Sequence, residues 1–143
     1  MRDYDNSLFR DIKEQVEDKE EAVIYSKILS KDFISLQYFL TRNFYYSVIV
    51  DDYPFKILDK NSLLEALYYQ VRLVTVHNLN WDAIQEGLND ALNNFLEFEG
   101  VCLLFKQGSH LANTLQNEFK ILKKIIQEIN KQDERKKITI ILS

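Results

Sequence analysis

Residues 100–108 read GVCLLFKQG, an apolar run of strand length between Gly100 and Gly108. Such an uninterrupted run is typical of a central strand that is covered on both faces. Two further segments predict strands, YYSVIV at residues 45–50 and ITIIL at residues 138–142. Because helical patterns separate the three segments, we predict an α/β protein with a parallel sheet.

Three helical patterns connect these strands. Ser62, with Glu65 three residues later, has capping-box spacing and precedes a short helix. Asn80 is a natural N-cap for a helix that ends near residue 96. A long amphipathic helix is predicted to begin after Ser109. The apolar side of the helix after Asn80 consists of Trp81, Ile84, Leu88, Ala91, Leu92 and Phe95.

Residues 1–44 are predicted to form an extension that packs on the core, because their aromatic side chains would otherwise lie in water. Leu8, Ile12 and Val16 indicate a helix after Ser7, and a second helix is predicted from Asp32. EAVIYSKIL, at residues 21–29, fits either a continuation of the first helix or a strand.

The composition predicts one compact domain, since 46% of the 143 residues are hydrophobic. Neither a secretory signal nor a run long enough to cross a bilayer is evident, so we expect a cytoplasmic protein without membrane contact. Cys102 lies within the predicted central strand and is expected to be a buried thiol in a reducing compartment.

The chain offers little for catalysis. It has two histidines, no G-x-S-x-G elbow, no phosphate-binding glycine loop and too few cysteines and histidines for zinc. We therefore predict no catalytic residue, no metal and no cofactor, and expect that the protein is not an enzyme.

The formal net charge is -4, and the acidic charge is concentrated in one segment. No Lys or Arg occurs between Arg72 and Lys106. Within that interval Asp82, Glu86 and Asp90 repeat every four residues, opposite the apolar side of the predicted helix. Like charges at this spacing lower the stability of the helix. Because the chain as a whole is acidic, we expect that it does not bind nucleic acid directly.

Three interpretations of this acidic row remain open. It can be a solvated helix surface, a binding face for a basic partner, or a pair of carboxylates for acid–base chemistry. Gly87, in the middle of the helix, is expected to leave the backbone accessible to a partner beside Glu86.

The chain end ITIILS, at residues 138–143, the helix start NWDAIQEGL, at residues 80–88, and the order of the elements together resemble the barstar family, intracellular inhibitors of barnase. The resemblance covers about residues 45–143. It implies a small three-stranded parallel sheet covered by helices. Residues 1–44 have no counterpart in the resemblance, and we predict that they add a helical extension. The resemblance also implies that the second helix and its preceding loop block the active site of a ribonuclease.

The resemblance assigns candidate residues one by one. The family's Asn-x-Asp helix start matches Asn80 and Asp82, and its second acid matches Glu86. Gln85 stands where the family has an aromatic residue, and an acid of the long helix matches Glu128. The expected partner-binding residues are thus Asp82, Glu86, Gln85, Asn78, His77, Asp90 and Glu128.

The leading hypothesis is an inhibitor or immunity protein for a basic ribonuclease toxin. The alternative is an acidic adaptor domain that binds a basic partner other than a nuclease.

Overall fold

The computed structural model describes residues 7–18, 22–51, 56–70, 79–94, 97–132 and 137–143. Within these ranges the chain forms six α-helices and four β-strands. In chain order they are α1 (Ser7–Asp18), β1 (Val23–Tyr25), α2 (Phe33–Arg42), β2 (Tyr45–Val50), α3 (Lys60–Gln70), α4 (Trp81–Asn94), β3 (Gly100–Phe105), α5 (Gly108–Thr114), α6 (Gln116–Gln132) and β4 (Lys137–Leu142).

The strands form one parallel sheet in the order β1-β4-β3-β2. All six residues of β3 are buried, which confirms the prediction of a central strand. The α/β class and the three strands predicted from sequence are also confirmed. The predicted strand count of three is wrong, because β1 adds a fourth strand beside β4.

The fourth strand comes from the segment that fitted either a helix or a strand. Ile140 donates its N–H to the carbonyl of Ala22, and Ser26 donates its N–H to the carbonyl of Leu142, both at 2.8 Å. These bonds satisfy the side of β4 that faces away from β3, so a strand is favoured over a continued helix. The N-terminal extension is therefore not only helical.

Side chains alternate between the two faces of the sheet, as the pleat requires. On one face Cys102, Leu104 and Ile141 pack with buried residues of α1 and α2. On the other face Val101, Leu103 and Phe105 pack with residues of α3, α4, α5 and α6. The N-terminal helices thus cover the face that the C-terminal helices leave open. The division of the chain into an extension packed on the core, residues 1–44, and a domain, residues 45–143, stays a prediction.

Two helix predictions need correction. The N-cap of α3 is Asp59, not Ser62: Ser62 donates its N–H to Asp59 Oδ1, and Asp59 donates its N–H to Ser62 Oγ, both at 2.9 Å. The bond from the Ser62 N–H is also the main reason that the pKa of Asp59 lies below its ordinary value. The long helix after Ser109 is two helices, because Leu115 leaves the helical conformation, with φ -120° and ψ 52°.

Candidate partner-binding face

The start of α4 is held by the predicted cap. Ala83 donates its N–H to Asn80 Oδ1 at 2.9 Å, and Ile84 donates its N–H to the Asn80 carbonyl at 3.1 Å. The cap satisfies a backbone donor that the helix itself cannot pair. Asp82, in the first turn, lies where a negative charge interacts favourably with the helix dipole.

One side of α4 is anchored in the core. Ile84, Leu88 and Leu92 are 0%, 0% and 1% exposed. They belong to the same hydrophobic core as buried residues of β3 and β4, and α4 lies beside both α3 and α6. Gly87 is buried as well, which corrects the expectation that it leaves the backbone open to a partner. A residue three positions after Ile84 lies on the same side of a helix, so Gly87 turns inward.

The opposite side of α4 is the acidic face, defined here as Asp82, Glu86 and Asp90, and all three residues are exposed. At about 100° per residue, Glu86 points about 160° away from Leu88. In the described part of the chain, none of these carboxylates forms an ion pair. The ion pairs found there join Lys13 to Glu17 and Lys106 to Asp51. The acidic face is thus turned outward and is not neutralised by the described cations.

The other candidate residues are less closely grouped. Gln85 is half-buried beside the acidic face, and Glu128 is exposed on α6, the helix that packs against α4. His77 and Asn78 lie outside the described residues. The structure therefore brings three of the seven candidates together on one helix surface, with a fourth at its margin.

Cys102 is fully buried in β3, and burial raises the pKa of its thiol to about 12. A thiol with this pKa stays protonated at neutral pH and is a poor nucleophile. In the ranges that the structure describes, no three His, Cys, Asp or Glu residues gather as metal ligands would.

A cleft of about 450 Å³ lies between β1, α5 and α6. None of the acidic-face carboxylates lines it, so a substrate bound in this cleft would not contact these acids. Sequence patterns did not predict the cleft, because its walls come from three separated segments of the chain.

Among the described residues, no helix is both long enough and apolar enough to cross a bilayer.

Comparison with protein families gives a match to the family described as "Barstar (barnase inhibitor)", over residues 55–143. The matched region contains the acidic face, Gln85 and Glu128. It leaves out α1, β1, α2 and β2, although β1 and β2 belong to the same sheet. The search of curated proteins found no match.

Proposed function

This chain belongs to the barstar family, and we propose that it inhibits a basic ribonuclease by placing the acidic face of α4 in the active-site cleft of that enzyme. The family consists of inhibitors of barnase-type ribonucleases. The observation that carries the proposal is the exposure of Asp82, Glu86 and Asp90 without an ion-pair partner in the described part of the chain.

The geometry of α4 suits this role. Four residues of a helix rise ~6 Å and turn about 40° beyond one full turn, so the three carboxylates form a slanting row of regularly spaced negative charge. The cap at Asn80 and the buried side of the helix orient the row before any partner binds. Preorganisation of this kind lowers the entropy that binding costs.

A ribonuclease cleft holds Arg, Lys and His side chains that bind the phosphates of RNA. Carboxylates of the acidic face would take the place of those phosphates and form charge-assisted hydrogen bonds with the same side chains. Opposite charges would also speed the encounter of the two proteins, and added salt would slow it. Inhibition then needs occlusion only, with no chemical step in the inhibitor.

The remaining candidates would contribute around this row. Gln85 offers an amide that can both donate and accept hydrogen bonds next to Glu86. His77 and Asn78, which precede α4 in the sequence, would contact the partner beside it, and Glu128 would add an acid from α6. We place this activity in the cytoplasm, because the single buried cysteine suits a reducing compartment. There the chain would act as an immunity protein against a ribonuclease toxin.

The test compares two double variants of equal charge change. Asp82→Asn with Glu86→Gln removes two charges from α4, whereas Glu14→Gln with Asp18→Asn removes the same charges, four residues apart, from exposed positions on α1. Each variant is assayed for inhibition of RNA cleavage by barnase and by any ribonuclease encoded beside the gene. Growth of cells that produce the same nuclease is measured in parallel.

We expect the α4 variant to lose inhibition and the α1 variant to keep it, with both variants folded by circular dichroism. Full inhibition by the α4 variant would refute the proposal. If the chain binds a basic protein through α4 but leaves RNA cleavage unchanged, it is an adaptor.

A further inference from the structure

The two edges of the sheet differ. At the β2 edge, side chains form hydrogen bonds with outward-facing backbone groups. Glu99 donates its N–H to the Phe44 carbonyl, and Lys106 donates its N–H to the Val50 carbonyl. Backbone groups of alternate residues point to opposite sides of a strand, so the N–H and C=O groups of Ser47 and Asp51 point away from β3. Gln37 donates from Nε2 to the Ser47 carbonyl at 2.9 Å. Gln70 accepts the Asp51 N–H at 2.8 Å and donates to the Asp51 carbonyl at 2.6 Å. Two glutamine side chains thus occupy positions that another strand would use.

The edge at β1 has no such cover in the described residues. The bonds of Ala22 and Ser26 to β4 show that Val23 and Tyr25 direct their N–H and C=O groups away from the sheet. Among the residues described, no group pairs with these four backbone atoms. They repeat at the two-residue spacing that an added strand requires.

The cleft between β1, α5 and α6 lies directly beside this edge. The side chains of Val23 and Tyr25 line it, and Tyr25 is 69% exposed. Its other wall includes Gln116, Lys120 and Lys123, which share one side of α6. Apolar side chains, among them Phe119 and Leu142, also line it. A strand added to β1 would therefore direct alternate side chains into a ready-made cleft.

The cleft is positively charged and favours a negatively charged ligand. The chain as a whole carries a net charge of -4, yet the residues that line the cleft include Lys120 and Lys123 and no carboxylate. This local charge favours acidic side chains. The cleft borders the β1 side of α6, and α6 also packs against α4, so α6 separates the cleft from the acidic face.

We propose that the β1 edge binds an extended acidic peptide segment of another protein as a fifth strand of the sheet. Backbone groups of the peptide pair with Val23 and Tyr25, while its carboxylates meet Lys120 and Lys123. This site is distinct from the nuclease-binding face, so both partners can bind the chain at once.

The probe is a short end-blocked peptide of alternating Glu and Val, labelled with fluorescein and titrated with the full chain by anisotropy. We expect binding, and we expect amide exchange at Val23 and Tyr25 to slow when peptide is bound, because their N–H groups become paired. N-methylation of alternate peptide residues in the pairing register should weaken binding about tenfold or more, since it removes about two backbone hydrogen bonds. Methylation in the other register should have little effect.

The matched variants lie on α6. Lys120→Glu with Lys123→Glu should abolish binding, whereas Lys124→Glu with Lys131→Glu, an equal charge change at exposed positions outside the cleft, should leave it nearly unchanged. Circular dichroism verifies that both are folded. Binding without protection of Val23 and Tyr25, or equal binding of both methylated peptides, would overturn the proposal. Failure of the wild-type chain to bind the peptide would also overturn it. So would a dimer, detected by sedimentation, in which amide exchange at Val23 and Tyr25 is already slowed, because a second copy would then occupy this edge.

Discussion

Glu86 lies at the centre of the acidic face, with Asp82 one helical turn before it and Asp90 one turn after it. Each neighbour is a like charge at i,i+4 spacing, and such a pair costs about 0.2–0.5 kcal/mol. Glu86→Gln removes both repulsions while keeping the size and nearly the helix propensity of the side chain. We therefore expect the free energy of unfolding to rise by about 0.4–1 kcal/mol, and Tm by about 1–4 °C.

The assay is urea unfolding at low ionic strength, repeated at high salt. At ~1 M salt the screening length falls to ~3 Å, so the gain in stability should largely vanish. Glu17→Gln is the control of opposite sign, because Glu17 Oε2 lies 3.6 Å from Lys13 Nζ at the same spacing. Loss of this ion pair should lower the free energy of unfolding slightly, by at most about 0.5 kcal/mol.

Glu86→Gln should also weaken nuclease inhibition, by about tenfold or more, if Glu86 forms a charge-assisted bond with the partner. If Glu86→Gln makes the chain more stable but a weaker inhibitor, then Glu86 serves binding and lowers the stability of the free protein. A Glu86→Gln chain that is less stable than the wild type at low salt would contradict this reasoning, since it would show that Glu86 is already compensated within the protein.

Two further predictions concern packing and pH. A Cβ added at Gly108 would lie 2.5 Å from Leu142 Cδ2 and 3.0 Å from Phe105 Cβ, so Gly108→Ala should lower the free energy of urea unfolding by about 1–3 kcal/mol; an unchanged midpoint would show that Leu142 moves aside freely. Burial, with smaller contributions from Glu17 and Glu99, raises the pKa of Tyr45 from 10.0 to about 12. The neutral phenol is favoured in the folded state, so this contribution to stability is complete below pH 10 and is lost as pH rises through about 12. Tyr45→Phe should accordingly lose less stability than the wild type between pH 10 and pH 12, and equal losses would refute the assignment.

Strong local patterns predicted the elements that carry the candidate site. The apolar stripe beginning at Trp81 predicted the buried side of α4, although Trp81 itself is only half-buried. Asn80 predicted the cap, and both signals arise within a few residues of chain. The acidic face followed from the same periodicity. The break at Leu115 was missed, since neither Gly nor Pro marks it and the apolar spacing continues through it.

The sequence alone decided the parallel α/β order, the central strand and the outward position of the acidic row, because each depends on the periodicity of neighbouring residues. That residues 23–25 join the sheet follows only from tertiary packing: Val, Ile and Tyr favour a strand, but a strand of three residues forms only through its bonds to β4. The same holds for the cleft at β1, whose walls come from parts of the chain far apart in sequence and meet only when the helices pack on the sheet.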